Sequence, residues 1–542
     1  DKQNGDRRAA LIGVGTSRRA ALCNKPFFRR KPIQVCKYFS NVKGESWLKY
    51  FPKNVNISEN EAQFICLKHP VIKKIDETRL DCLVNTLYDM GFSEETLLEQ
   101  PSLFGILPIT LKNRYKVLQE CGFKTITPDH LCSYLSLVKQ KTIGELKENG
   151  EIPSSVNVEN KLASYLIQWP TALTTLISED VNYLTLYNMR FKIIQKFLEL
   201  QLDLTESEFH RGLKTYPTTK HRPLQVLNET LEILLSQIQL PKYKIKSNLY
   251  LLHADPKNLK DIIFKLRSIG GIDIKEIIRL RPKLAIKNYS MMEEIKKILN
   301  DYEIGNEAQK RCFDIYTLAP STVRERLEKA KSSPEFNTFY NHPRFLKMIH
   351  YNNTVLKRLD KLNENNKKCI SLNVLSGSSA HYESFQKAPG DRLGKGKDLL
   401  FCVSQSLHNK YSLNEIRKKL KRHPFWINVP LVQVKYVCNQ LLKDYSYNDI
   451  YENCPILLYP WSKIKDTLKV FNKQQRQQDA SFATENFNLK MINNSQKLSL
   501  VIYLLEKRHY FTGNGVWIEE KHKMCHRSLE EAPTSEEHKN SL

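Results

Sequence analysis

A proline motif recurs along most of this chain and limits the folds open to it. The motif consists of two apolar residues, a few polar residues, a proline and further apolar residues, as in IIRLRPKLA. Proline cannot continue a helix, because it has no N–H and restricts the residue before it. Each occurrence therefore predicts a helix that ends, a tight turn and a second helix. The prolines of the motif are Pro70, Pro101, Pro170, Pro217, Pro256, Pro282, Pro320, Pro343, Pro424 and Pro455.

The spacing of these prolines predicts a repeat array. Successive prolines are 31, 69, 47, 39, 26, 38, 23, 81 and 31 residues apart, and the two longest gaps are close to double spacings. One such unit cannot bury its apolar face alone, whereas stacked units can. The predicted fold is all-α, a superhelical array of helix–3₁₀–helix repeats (an α-solenoid). The alternative is a non-repetitive all-α protein with scattered prolines.

Helix start and stop signals fall between the motifs, as this fold requires. Capping boxes are predicted at Thr205, Asp273 and Ser412, with a weaker one at Ser446, because each has an acidic residue three positions later. Gly270 lies just before such a start, where the end of a helix favours a left-handed residue.

Composition divides the chain into three parts. Residues 1–41 carry four Lys and six Arg against two Asp and no Glu, which is typical of a mitochondrial transit peptide. The alternative for this segment is a basic nucleic-acid-binding arm. The repeat array is predicted over 42–518, with an interruption near 363–398 that is rich in Ser, Gly and Lys. A polar tail without periodicity follows at 519–542 and is predicted to be disordered.

Motifs of the common catalytic sites are missing from the sequence. It contains no GxSxG, HExxH or GxGxxG. The 12 cysteines include no CxxC pair, which predicts reduced thiols in the core. A weak zinc alternative is the cluster His522, Cys525 and His526. The sequence therefore predicts no catalytic residues, no metal, no cofactor and no enzymatic activity. It has no run of 18 apolar residues and predicts no membrane insertion.

Basic residues offer the main functional signal. The 84 Lys and Arg exceed the 58 Asp and Glu, for a formal charge of +26, which favours an anionic partner. Groups of these residues lie beside the motif prolines. Because equivalent positions of a repeat array line one surface, they predict a track for a phosphate backbone. The candidate nucleic-acid-binding residues are Arg279, Arg281, Lys283, Lys287, Arg324, Arg326, Arg344, Lys347, Arg417 and Arg422.

The repeat resembles that of the mitochondrial transcription termination factor (mTERF) family over about residues 50–510. The segments that carry the resemblance are IIRLRPKLAIKNY, IRKKLKRHPFWINVP and IYENCPILLYP. The resemblance implies paired helices with a 3₁₀ turn, and members that bind double-stranded DNA or ribosomal RNA in mitochondria or chloroplasts.

From this resemblance and the basic start we predict a protein of the mitochondrial matrix that binds double-stranded mitochondrial DNA. It would regulate transcription by termination, pausing or activation, alone or with other transcription factors. The alternatives are an RNA-binding factor for mitochondrial ribosome assembly, with ribosomal RNA as its partner, and a helical-repeat scaffold that binds proteins.

Overall fold

The computed structural model describes residues 50–55, 57–166, 180–478 and 492–507. These residues form two compact units that divide between Lys112 and Asn113. Helices dominate both units, so the predicted all-α repeat fold is confirmed. No helix among the described residues is long and apolar enough to cross a membrane. The proposed transit peptide and polar tail lie outside the described residues, as does Pro170.

The first helices of the chain are α1 (Phe51–Asn54), α2 (Glu59–Lys68), α3 (Glu77–Asp89), α4 (Thr96–Glu99) and α5 (Pro108–Glu120). They are followed by α6 (Pro128–Cys132), α7 (Tyr134–Gln140), α8 (Ile143–Glu148), α9 (Val158–Ala163), α10 (Leu186–Leu202), α11 (Glu206–Thr215), α12 (Leu224–Glu232), α13 (Lys242–Ser247), α14 (Pro256–Asp261), α15 (Ile274–Leu280) and α16 (Tyr289–Asp301). The remainder are α17 (Asn306–Arg311), α18 (Pro320–Ser332), α19 (Pro334–Thr338), α20 (Phe345–His350), α21 (Asn352–Glu364), α22 (Leu372–Ser376), α23 (Ser379–Lys387), α24 (Lys397–Ser406), α25 (Leu413–Leu420), α26 (Leu431–Leu441), α27 (Tyr447–Glu452), α28 (Trp461–Gln478) and α29 (Asn494–Lys507).

Short 3₁₀ helices join many of these pairs, as the motif predicts. They cover Ile72–Lys74, Pro101–Gly105, Val181–Tyr183, Pro217–His221, Leu249–His253, Pro282–Ile286, Phe313–Thr317 and Cys454–Leu458. The motif prolines Pro101, Pro217, Pro282 and Pro455 lie in the first two positions of such a segment, which confirms their role. Pro70, Pro343 and Pro424 lie in turns between helices.

Two of the motif prolines were assigned wrongly. Pro256 and Pro320 are the first residues of α14 and α18, not of the preceding 3₁₀ segments. A proline is well tolerated there, since the first turn of a helix needs no N–H donor. The 3₁₀ segments of these two units begin instead at Leu249 and Phe313.

The corrected positions make the repeat regular. The 3₁₀ segments that begin at Pro217, Leu249, Pro282 and Phe313 follow one another at 32, 33 and 31 residues. In the last three of these segments the third and fourth residues are buried apolar pairs: Leu251 and Leu252, Leu284 and Ala285, and Ile315 and Tyr316. In the first segment Thr219 is buried and Lys220 is only partly buried. The buried third residue therefore marks the period of the fold, whether or not a proline precedes it.

A row of short elements runs along one edge of the second unit. The 3₁₀ segment Leu249–His253 contacts Pro282–Ile286, which contacts Phe313–Thr317. Helix α20 continues the row in the next repeat, and α22 follows α20. We call these five elements the short-helix row. The sequence near 363–398, predicted as an interruption, contributes α22 and α23 to this part of the unit.

The helix caps agree with most of the sequence signals. Thr205, Ser412 and Ser446 form capping boxes, as predicted. Asp273 caps α15 through the N–H of Lys275 but forms no box. Gly270 does not end a helix. It lies in the turn of a two-stranded hairpin, β1 (Ser268–Ile269) and β2 (Ile272–Asp273), with φ of 59°.

Candidate nucleic-acid interface

A cleft of about 630 Å³ opens on the short-helix row of the second unit. Five of the side chains that line it are cationic, and Asp314 is acidic. We call this site the basic cleft. Its cationic residues, contributed by three successive repeats, are Arg281, Lys310, Arg311, Lys347 and Arg358.

Repeat geometry explains why these cations meet. Arg281 directly follows α15, and Arg311 is the last residue of α17, so both stand just before a 3₁₀ segment. The C-terminal end of a helix favours cations, because its carbonyl groups carry partial negative charge. Lys347 lies on α20, the element that takes the next place in the row. Neighbouring elements of the row therefore place cations side by side.

Asp314 balances only part of this charge. Its Oδ2 lies 3.7 Å from Nε of Arg281, and the two side chains are 37% and 57% exposed. An exposed ion pair of this kind contributes about 0–1 kcal/mol, so an incoming anion can replace it at little cost. Arg281 is thus held at the cleft and remains accessible to solvent.

Arg358 shapes the far wall of the cleft. It is 8% exposed, and its NH1 donates hydrogen bonds to the carbonyl oxygens of Val374, Leu375 and Gly377 at 3.2, 2.9 and 2.8 Å. These bonds fix the turn that leads into α23. Ser378 caps α23, and both Ser378 and Ser379 line the cleft, so the positive end of this helix adds to the field of the cations.

Two of the ten predicted binding residues, Arg281 and Lys347, line the basic cleft. Two others act as braces between repeats. Arg279 donates from Nε to the carbonyl of Ile238 at 2.7 Å. Arg326 donates from NH1 to the carbonyls of Ile349 and His350, both at 2.8 Å, and burial lowers its pKa.

The other six predicted residues do not line this cleft. Lys287 is half-buried, and its pKa is lowered by burial and by nearby Lys283. Arg344 is exposed and donates to Oδ1 of Asn373 at 3.4 Å. The remaining members are exposed and comprise Lys283, Arg324, Arg417 and Arg422.

Sequence reasoning missed three cations of the cleft: Lys310, Arg311 and Arg358. Arg311 carries a signal, because it precedes a 3₁₀ segment much as Arg281 does. The motif was assigned to Pro320 rather than to Phe313, so Arg311 was not seen to lie beside a turn. Arg358 comes from the middle of α21 and carries no comparable signal.

Comparison with known proteins adds one relative that aligns over most of the chain. No family model matches the chain, and no solved structure matches it. The chain is 30% identical over 474 residues to "Transcription termination factor 5, mitochondrial" of Drosophila melanogaster. That alignment covers 87% of this chain and 83% of the relative. The chain therefore belongs to the mitochondrial transcription termination factor (mTERF) family.

Proposed function

We propose that this protein binds double-stranded mitochondrial DNA in the matrix and regulates transcription by termination, pausing or activation. The name of the Drosophila relative, with its reference to mitochondria and transcription termination, supports this role. The observation that carries the proposal is the basic cleft, where cations of three successive repeats converge.

The arrangement of the cleft suits a phosphate backbone better than a compact anion. Its cations are distributed along the short-helix row, so that they can contact phosphates in succession. Each neutralised phosphate releases condensed counterions, which makes binding favourable and dependent on salt. The role we propose is one of binding, with no catalytic residue and no resident cofactor.

The proposed location rests on the acid-poor, arginine-rich segment 1–41. A reporter fused to this segment is expected to enter mitochondria, and a reporter that stays in the cytosol would contradict the location.

A salt titration of the full chain tests the proposed binding. The variant Arg281→Glu/Lys347→Glu reverses two cleft charges, and Lys257→Glu/Lys260→Glu reverses two exposed charges of α14 outside the cleft. Affinity for duplex DNA is measured at several salt concentrations. We expect the cleft variant to lose about two units of the slope of log K against log salt, one for each lost contact. We expect the α14 variant to keep the slope of the parent.

The same titration separates the alternative partners. Equal duplex binding by parent and cleft variant would show that the interface lies elsewhere. A tenfold or greater preference for ribosomal RNA fragments would make RNA the partner. Weak binding of both nucleic acids, with no dependence on sequence, would favour a protein-binding scaffold. Circular dichroism melting of each variant confirms that the fold is intact.

A further inference from the structure

A second pocket of about 830 Å³ lies in the same unit, away from the residues of the basic cleft. It is formed by α19, the end of α21, residues 368–370, α26 and the start of α28. The volume falls within the range of about 300–1,000 Å³ typical of small-molecule sites. We call it the amide pocket after four of its lining residues, Asn337, Asn363, Gln433 and Asn439.

One amide of this pocket lacks a partner. Nε2 of Gln433 is buried and makes no hydrogen bond within the described part of the chain. A buried donor without an acceptor is costly to fold. Gln433 as a whole is partly exposed in the pocket wall, so a small rotation of its amide would bring Nε2 to a ligand that supplies the acceptor. This observation separates the pocket from an ordinary surface depression.

Two aromatic side chains provide flat apolar surfaces beside this donor. Tyr436 follows Gln433 by three residues on α26, so both lie on one helical face. Tyr436 is 51% exposed, so its ring is accessible to a ligand in the pocket. Trp461, the first residue of α28, also lines the pocket. Planar ligands stack on such rings.

The walls of the pocket are held in place by a contact between distant repeats. Nζ of Lys435 donates to the backbone carbonyl and to Oδ1 of Asn337, at 2.8 and 2.9 Å, although these residues are 98 positions apart. These bonds join α19 to α26, two of the helices that line the pocket. The lining carries Lys368 and Lys435 against Glu335, a formal balance of +1 that is compatible with a ligand of negative charge. Burial lowers the pKa of Lys435, whose Nζ is engaged by Asn337.

We propose that the amide pocket binds a nucleotide, with its base between Tyr436 and Trp461 and an acceptor of the base at Nε2 of Gln433. Nucleobases combine a planar face with acceptors and donors on one edge, and amide side chains pair with such edges. The phosphate supplies the negative charge. The base can belong to a free nucleotide or to an unpaired position of a nucleic acid strand.

Calorimetric titration of the full chain with AMP, GMP, CMP and UMP tests the site. We expect saturable binding of at least one of these nucleotides, at one site per chain. Tyr436→Ala and Gln433→Leu are each expected to weaken it at least tenfold. Tyr243→Ala is the matched control, since this tyrosine is 64% exposed on α13 and lines neither the basic cleft nor the amide pocket, and it should bind like the parent.

Stability supplies a second readout for Gln433. Replacing an unsatisfied buried amide with leucine should leave the melting temperature unchanged or raise it, while binding is lost. A variant that both melts earlier and binds less would assign Gln433 a structural role and overturn its part in the proposal.

Further outcomes decide the proposal and the source of the base. Failure of all four nucleotides and of a short single-stranded oligonucleotide to bind at the pocket would overturn it. So would binding that is lost in Arg281→Glu/Lys347→Glu but kept in Tyr436→Ala, because the phosphate would then occupy the basic cleft.

If the oligonucleotide displaces the nucleotide at lower concentration, the base belongs to a strand. If it does not, the ligand is a free nucleotide. Neither result depends on duplex binding at the basic cleft.

Discussion

The buried ion pair between Arg190 and Glu120 offers a sharp test of how the repeats hold together. The two side chains are 2% and 3% exposed, and NH1 of Arg190 lies 2.9 Å from Oε2 of Glu120. Glu120 also accepts the backbone N–H groups of Leu224 and Gln225 at 2.8 and 3.0 Å, at the start of α12. Arg190 donates in addition to the carbonyl of Arg222 at 2.6 Å. Burial is the largest single influence on the pKa of Arg190 and lowers it, but Glu120, Cys121 and Tyr134 together more than offset burial, so the pKa of the guanidinium is raised.

Removing either partner leaves a buried charge without its counterion. Glu120→Gln and Arg190→Met are each expected to lower the free energy of unfolding by about 3–5 kcal/mol. The double variant Glu120→Gln/Arg190→Met has no unpaired charge. Its one amide oxygen replaces the two carboxylate oxygens that accept from Leu224 and Gln225. It should therefore cost about 1–3 kcal/mol, the penalty for one stranded N–H group. The double variant is therefore expected to cost less than the sum of the single ones.

Urea unfolding, followed by circular dichroism and by fluorescence, measures these differences. The two single variants should also respond differently to acid. In Arg190→Met the stranded carboxylate can take up a proton, whereas the guanidinium in Glu120→Gln cannot lose one. Stability lost in Arg190→Met should thus be partly regained between pH 7 and pH 5, relative to Glu120→Gln. Single variants within 1 kcal/mol of the parent, or strict additivity, would refute the claim that this pair is a coupled buried network.

Two further predictions concern the turns and the buried histidines. Pro282→Ala should lower Tm by about 2–4 °C, since α15 can then continue past its present end. Pro320→Ala, at the first position of α18, should change the free energy of unfolding by less than about 1 kcal/mol. Equal shifts in Tm would contradict the different roles given to the two prolines. Burial, aided by nearby cations, lowers the pKa of His221 and of His253 to about 4. The unfolded chain takes up these protons near pH 6.5 and the folded chain only near pH 4, so stability is lost as the pH falls through this window. Each histidine should lower the free energy of unfolding by about 2 kcal/mol between pH 7 and pH 5. In the variant His221→Gln/His253→Gln the urea midpoint should therefore change less with pH over that range. A pH dependence equal to that of the parent would show that these rings are protonated in the folded state.

The sequence was sufficient to predict the fold class, because the motif depends on a local property of the chain, the end of a helix. A helix that must stop and turn leaves a proline or a capping residue, and Pro282 and Ser412 lie where the pattern placed them. The exact positions of two repeats could not be predicted from the sequence. Pro256 fits the same pattern as Pro282 but begins a helix, and only the burial of neighbouring apolar pairs tells the two apart. That burial depends on contacts between repeats, which a local pattern does not contain.

The candidate site was predicted in part for the same reason. Arg281 and Lys347 stand beside a turn and line the basic cleft. Arg279 is only two positions from Arg281, yet its guanidinium reaches the carbonyl of Ile238 in the preceding repeat. Whether an arginine lines the cleft or braces the preceding repeat depends on the side of the helix end from which it projects. A shift of one or two residues changes that side. The distance of an arginine from a motif proline could not predict which of the two it does.

Arginine braces recur at the repeat spacing and reduce the charge that is available to a nucleic acid. Arg190 donates to the carbonyl of Arg222, and Arg222 donates to that of Ala254, each over 32 positions. Burial lowers the pKa of Arg222 to about 10. Within the basic cleft, Arg358 is committed to carbonyl groups in a similar way. The formal charge of +26 therefore overstates the number of phosphate contacts.

If the basic cleft is the whole interface, the number of its cations limits the salt dependence of binding. Apart from Arg358, its cations are Arg281, Lys310, Arg311 and Lys347. At about −0.9 units for each neutralised phosphate of duplex DNA, four contacts give a slope of log K against log salt of about −3.6. A parent slope near this value would confine the interface to the cleft. A much steeper slope would require further surfaces, and the exposed residues Arg417 and Arg422 would be the next to reverse.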